Sequence, residues 1–431
     1  MKRSILAFLL CLLALLLSVS SCGVLTTVPE PTGESTADET GSGEPDDPER
    51  PGGQTTEGKT EEKTEEKTDG MTGEGTTVPE KPKTRRTYLL TSGTRGIKVL
   101  GVRNLAENGK ITCDWTGSGI EFDVDSQGGD IVVTAKATAQ CYFRAYVDGE
   151  AWGGKFPLMS VTTAATELVI ADVPEGPHRI RLIKVTGYTL ARAELTELSL
   201  YGSIVGTAPA DRDLYIEFVG DSICCGWGNI AGHTGVAADQ DGSRAYPYLV
   251  ADALNADYAV TALSGQGLLY GNPGVTRGYN YASPLRSTAA EYDFARQADL
   301  VVINIGTNDY SHRTDAGITE DDFYSAYLAF LRNVKTKNGE GCRIVCIYNT
   351  MNDTFANAIQ RAVAKAGGEQ KGIHLLEFAR TASGHPTLAE HAAYAEVLTA
   401  FLRDLPEIPE VPVEQGDPRG MFVAWDELTA Y

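Results

Sequence analysis

Four short stretches of this chain carry residues that could work on a carbonyl. The first, GDSICCG from Gly220 to Gly226, offers Ser222, Cys224 and Cys225 as nucleophiles. Downstream lie SGQG with Gly265, GTND with Asn308 and ASGHP with His385. A serine hydroxyl attacks when a base takes its proton and donors hold the oxyanion that forms. His385 can be that base. The backbone N–H of Ser222, the backbone N–H of Gly265 and the side-chain amide of Asn308 can be the donors. Glycine at 265 suits close approach of a substrate to the backbone. A cysteine would instead need a cation or a helix start to hold its thiolate. Only one of the three nucleophiles can occupy the turn that faces the donors. Asp221 and Asp309 read as turn-fixing carboxylates, since Asp readily binds nearby backbone amides.

These residues need elements to position them. From about Asp213, apolar runs alternate with helix-like stretches. The runs are LYIEFV, DYAVTAL, DLVVINI, CRIVCIY and GIHLLEF. Helices are expected near Tyr246–Leu254, Thr319–Val334, Asp353–Ala366 and Thr387–Leu402. Thr319 before Glu320, Asp321 and Asp322 is a good helix start, because a hydroxyl cap and negative charge suit the N-terminus. Five such strands imply a parallel sheet covered on both faces. In such folds the site lies beyond the C-terminal ends of the strands. GDS, SGQG, GTND and ASGHP each follow a strand, so all four pass that geometric filter. Upstream, Arg85 to Gly202 reads as short alternating runs separated by SQGGD, VDGE and PEGPH. Period-two alternation at this spacing predicts an all-β sandwich.

The ends of the chain have another character. Lys2 and Arg3 precede ILAFLLCLLALLL, and VSSC closes the stretch at Cys22. A basic start, a short apolar core and small residues form the pattern of an export signal. The apolar core is short for a membrane span. Residues 23–84 hold 16 acidic against 6 basic side chains and almost no large apolar ones. Such a segment cannot offset its ordering entropy, so a disordered acidic linker is expected. It supplies about half of the formal charge of −21. No basic face is left for nucleic acid. The organisation expected is 1–22 signal, 23–84 linker, 85–205 sandwich, 206–406 α/β domain and 407–431 tail. The tail, ending MFVAWDELTAY, fits a disordered end or a packed strap.

The four blocks, in this order, resemble the SGNH hydrolase superfamily over roughly Asp213 to Leu402. A sandwich ending PEGPHRIRLIKV…LSLYG and running into FVGDSICCGWGN looks like carbohydrate esterase family two. That resemblance implies a jelly-roll domain followed by a flavodoxin-like, three-layer α/β domain with a five-stranded parallel sheet. It implies removal of acetyl groups from plant polysaccharides such as acetyl xylan or glucomannan. Ser222 would be nucleophile and His385 base, with Gly265 and Asn308 completing the oxyanion hole and no cofactor or metal. At least one of Cys224 and Cys225 is then expected to point into the core. One departure stands out. Superfamily members often carry an Asp two or three residues before the histidine, and here those positions are Ser383 and Ala382. Glu377 is the nearest acid, within the last strand. Some family members work with a Ser-His dyad, and the carbonyl of Ser383 could hold the imidazole here. The VSSC ending resembles a bacterial lipobox. It implies cleavage before Cys22, a lipid on its sulfur and attachment to the outside of the cell membrane, with plain secretion as the alternative. A lipase or lysophospholipase-like esterase and a polysaccharide-binding protein without hydrolysis are the rival functions.

Other residues are weighed against plainer roles. Trp227 could stack on a sugar or on the acetyl group, or simply pack. His233 and His312 could line the pocket. His178 is expected in a surface turn, His374 in a structural strand, and His391 packing or capping. AADQDGSR alternates acids like a calcium loop but lacks its bidentate Glu, so no metal is expected there. Cys113, Cys141, Cys342 and Cys346 have no zinc-site spacing and read as buried thiols.

Overall fold

The computed structural model describes residues 82–405, except 92, 102, 104–105, 108–109, 155–156, 231–234 and 287–289. The expected signal, the lipidated Cys22, nearly all of the acidic linker, His233 and the tail lie outside the described residues. The described residues fall within one compact unit.

Ten antiparallel strands come first: β1 (Arg85–Leu89), β2 (Ile97–Leu100), β3 (Ala106–Glu107), β4 (Lys110–Cys113), β5 (Gly119–Ala137), β6 (Cys141–Val147), β7 (Glu150–Ala151), β8 (Met159–Val161), β9 (Thr166–Lys184) and β10 (Ala193–Ile204). They pair in the order β3-β4-β10-β5-β9-β6-β7, with β1 on β10, β2 on β5 and β8 on β6. Alternate side chains bury a core that includes Ile120, Phe122, Val124, Ile131, Val133, Leu168, Ile180 and Leu182. Two of the expected turns do not end strands. SQGGD lies inside β5 and PEGPH inside β9, each strand running 19 residues. Gly128 and Gly129 take φ of 77° and 119°, and the β5–β9 register shifts between Gly129 and Ile131. The glycines therefore kink the strand, and its inward residues change from even to odd numbers across them. VDGE does turn: Asp148 and Gly149 have φ of 52° and 90° and join β6 to β7.

The second sheet holds β11 (Tyr215–Gly220), β12 (Asp257–Ala262), β13 (Leu300–Asn304), β14 (Arg343–Tyr348) and β15 (Ile373–Glu377). All pairs are parallel and the order is β12-β11-β13-β14-β15, the flavodoxin-like arrangement. Successive residues go to opposite faces. Ile216, Phe218, Val260, Val302 and Val345 meet the helices Tyr246–Ala253 and Leu388–Arg403. Tyr215, Val219, Val301, Ile303 and Ile344 meet the helices Glu320–Asn338 and Ala356–Ala366. A sheet buried on both faces reads as a continuous apolar run, as these strands do. Thr319 and Asp322 form a reciprocal capping box at the start of Glu320–Asn338. Thr387 and Glu390 form another before Leu388–Arg403.

The two sheets share a core. Leu100, Tyr146, Ile183 and Val185 of the antiparallel part pack with Leu214, Ile216 and Tyr248 of the parallel part. Buried charges cross the same junction. Glu217, in the middle of β11, pairs with Arg103 at 3.0 Å. The Arg103 guanidinium lies over the rings of Tyr279, Tyr292 and Phe294. Asp257 receives Lys98 at 2.7 Å, Arg212 at 3.0 Å and Arg296 at 2.6 Å.

Candidate active site

β11 delivers Ser222, the candidate nucleophile. It ends at Gly220, where a Cβ would lie 2.0 Å from the sulfur of Cys224. The chain then turns tightly over Asp221 and Ser222. Asp221 fixes this turn as expected, its Oδ1 accepting the N–H of Ile223 at 3.0 Å. The carbonyl of Ser222 accepts the N–H of Trp227 at 3.0 Å. No regular helix starts directly after Ser222; residues 222–230 are a series of turns.

His385, the candidate base, arrives from the far end of the sheet. After β15 the chain returns so that His385 Nε2 lies 2.7 Å from Ser222 Oγ. That distance is within the range for direct proton transfer between hydroxyl and imidazole. The turn bearing His385 is held on both sides by Glu390. Its carboxylate accepts the N–H of Ala382 at 2.9 Å, the N–H of Thr387 at 2.8 Å and the hydroxyl of Thr387 at 2.9 Å. Thr381 adds a hydroxyl bond to the carbonyl of Gly384 at 2.7 Å. Glu377, the nearest acid upstream, accepts from Asn349 Nδ2 at 2.7 Å at the end of β15. Sequence reasoning looked for an acid before the histidine and overlooked Glu390 after it. The Thr-x-x-Glu pattern at 387–390 was the available signal.

The donors come from the loops after β12 and β13. Gly265 has φ of 76°, and a Cβ there would meet nothing within 4 Å. Its glycine answers the left-handed backbone, while the open side faces away from packed protein. The N–H groups of Ser222 and Gly265 have no partner among the described residues. Asn308 differs from the expectation of a free donor. Its Nδ2 donates to Asp221 Oδ2 at 3.1 Å and to the carbonyl of Gln266 at 3.0 Å. Burial pushes the Asp221 carboxyl up to about 7, and the charge of Asp309 adds to this. Asp309 does not fix its own turn. Its carboxylate instead takes the N–H groups of Leu268, Leu269 and Tyr270.

The competing nucleophiles turn away. Both Cys224 and Cys225 are buried, Cys224 Sγ lying 3.0 Å from Tyr246 Oη. Burial, with the charge of Asp221, pushes both thiols up, that of Cys225 to about 12. Neither holds a thiolate at neutral pH. Cys113, Cys141, Cys342 and Cys346 are likewise free and buried.

The other singled-out residues sort clearly. Trp227 stands beside the base, its ring centroid 6.4 Å from that of His385. His312 stacks on Tyr270 with ring centroids 3.9 Å apart and ring planes nearly parallel. His178 is not in a turn: it lies within β9, Nδ1 2.6 Å from Asp148 Oδ2. His391 is fully buried against Tyr246, and burial drives its imidazole down to about 3. Asp241 of AADQDGSR receives Arg144 of β6 and the amide of Ser243 at 3.1 Å. The N–H of Asp241 donates to Asn229 Oδ1 at 2.9 Å, so β6 anchors the loop that follows Trp227. A polar cavity of about 550 Å³ lies elsewhere, lined by Glu121, Arg179, Arg181 and Arg212 among others. Its guanidinium groups are already spent on Glu121, Asp123 and Asp257.

Known proteins resemble this chain in sequence and fold. Residues 218–405 match the GDSL-like lipase/acylhydrolase family. A cellulase/esterase, CelE, from Acetivibrio thermocellus is 29% identical over 318 residues, 68% of this chain. The match spans only 37% of CelE, about a third of its length. An acetylxylan esterase / glucomannan deacetylase from Cellvibrio japonicus is 25% identical over 55% of this chain and 69% of its own. Among solved structures, a family two carbohydrate esterase from Clostridium thermocellum, in complex with cellohexaose, superposes with a TM-score of 0.63. It is 26% identical and covers 72% of this chain and 98% of that one.

Proposed function

We propose, from the match of residues 218–405 to the GDSL-like lipase/acylhydrolase family, that this protein is a serine esterase removing acetyl groups from polysaccharide. The observation that carries the reading is the 2.7 Å contact between Ser222 Oγ and His385 Nε2 at the C-terminal edge of the parallel sheet. Ser222 attacks the acetyl carbonyl while His385 takes its proton. The oxyanion is received by the N–H groups of Ser222 and Gly265. Asn308 joins them by giving up its bond to Asp221. His385 then returns the proton to the sugar oxygen as it leaves. Water, activated by the same imidazole, frees acetate from Ser222. With no Asp at 382 or 383, Ser222 and His385 act as a dyad, and the carbonyl of Ser383 is assigned the task of orienting the imidazole. Trp227, beside His385, offers a flat apolar wall for the acetyl group or the sugar ring.

The named activities of the relatives support acetylated xylan or glucomannan as substrate. The signal-like start of the sequence and the lipobox-like VSSC ending at Cys22 support an exported, lipid-anchored protein. The test is acetate release from a panel of acetylated xylan, glucomannan and longer-chain acyl esters. The wild-type protein should release acetate from at least one polysaccharide. Ser222→Ala should lose at least about a thousandfold in rate. Preference for long-chain esters, or polysaccharide binding without acetate release, would reject this reading.

A further inference from the structure

We infer that Asp309 is a positioning residue of the oxyanion hole, setting the place of the Gly265 N–H through the loop 266–270. This rests on the reading of Ser222 as an esterase nucleophile. Asp309 is fully buried on the short helix Thr307–Ser311. Its Oδ2 accepts the N–H of Leu268 at 3.0 Å. Its Oδ1 accepts those of Leu269 at 2.7 Å and Tyr270 at 3.0 Å. Three consecutive amides converge on one carboxylate, so the loop curls around an anion. Charge-assisted bonds of this kind are stronger than neutral ones. The same helix grips the loop twice more. Asn308 Nδ2 donates to the carbonyl of Gln266, and His312, just past the helix, stacks flat on Tyr270.

Gly267 gives an independent sign. A Cβ there would lie 2.2 Å from Asp309 Oδ2, and the three atoms nearest to it all belong to that carboxyl. Its φ does not demand glycine. The second glycine of SGQG is therefore the space through which the carboxylate reaches the loop. Gly265 stands one residue before the gripped segment, and its N–H is the donor this loop presents. An oxyanion-hole donor acts only if it is held where charge develops in the transition state. Asp309 touches no substrate and works through the backbone.

The test uses Asp309→Asn, Gly267→Ala, Asp309→Ala and the double variant Gly267→Ala/Asp309→Ala, with p-nitrophenyl acetate as substrate. Asparagine turns an NH2 group toward at least one backbone N–H and loses that bond. Asp309→Asn should lower kcat about 10- to 100-fold with KM within about twofold. Phenylboronic acid, which forms a tetrahedral adduct on a serine, should bind weaker by a similar factor. Gly267→Ala should reproduce the kcat loss by pushing the carboxylate aside with its charge intact. In the Asp309→Ala background it should cost almost nothing more, because the three atoms it crowds most closely are gone. A kcat within twofold of wild type in soluble Asp309→Asn, a loss falling wholly on KM, or full activity regained well below the melting temperature would overturn the inference. Active wild type, dead Ser222→Ala and unimpaired Asp309→Asn sink this inference alone. Inactive wild type sinks the esterase reading, and this inference with it.

Discussion

At the residue scale, the chemistry turns on what burial does to side chains a few positions apart. Ser222 keeps a polar partner in His385, while Cys224 and Cys225 are sealed in the core and their thiols are driven up. Asp221 shares that burial, and its carboxyl is pushed up to about 7 against an ordinary value of about 4. The folded protein therefore holds a proton on Asp221 between about pH 4 and 7 that the unfolded chain has released. Stability from this group is full below about pH 4 and is lost as pH rises through about 7. The loss is on the order of a few kcal/mol. Asp221→Asn should flatten that fall, measured as the thermal midpoint from pH 4 to 8; an unchanged slope contradicts it. The four candidate positions were legible in the sequence because each follows an apolar strand. The engagement of Asn308 with Asp221 and Gln266 was not, since no pattern in GTND says where an amide points.

At the element scale, the loops are as specified as the strands, but by partners remote in sequence. Asp309 gathers the loop after β12, and Glu390 brackets the turn that carries His385. Glu390 closes a capping box and also reaches back to Ala382, so one carboxylate fixes a helix start and a catalytic turn. Glu390→Ala should cost about 1 kcal/mol of stability as a lost cap. It should also lower kcat about tenfold, because the imidazole is no longer held in line with Ser222. A stability loss with unchanged kcat would show that the bracket does not reach the ring. The helices Tyr246–Ala253, Glu320–Asn338, Ala356–Ala366 and Leu388–Arg403 lie where the sequence places them, and Thr319 and Thr387 cap theirs, while the other two have no capping side chain. The strands β5 and β9 were not readable as single elements. Glycine signals a break in local sequence, yet here the antiparallel partners carry the strand through and the glycines only bend it.

At the scale of the whole molecule, the antiparallel sheet belongs to the site's scaffold. Arg144 reaches from β6 to Asp241 and, through Asn229, steadies the loop beside Trp227. Arg103 inserts between Tyr279, Tyr292 and Phe294 to meet Glu217 within β11, the strand that leads to Ser222. Buried pairs of this kind are costly to break, because the remaining charge is stranded. Charges so far apart in sequence carry no local signature, so the junction was invisible until the fold joined them. The account stands most directly on Ser222 being the group that His385 activates. Treating the folded protein with a fluorophosphonate and mapping the adduct by peptide fragmentation tests this. The adduct is predicted on Ser222 in wild-type protein and should be absent in His385→Ala. Labelling of Cys224 or Cys225, or equal labelling of Ser222 without His385, would contradict it.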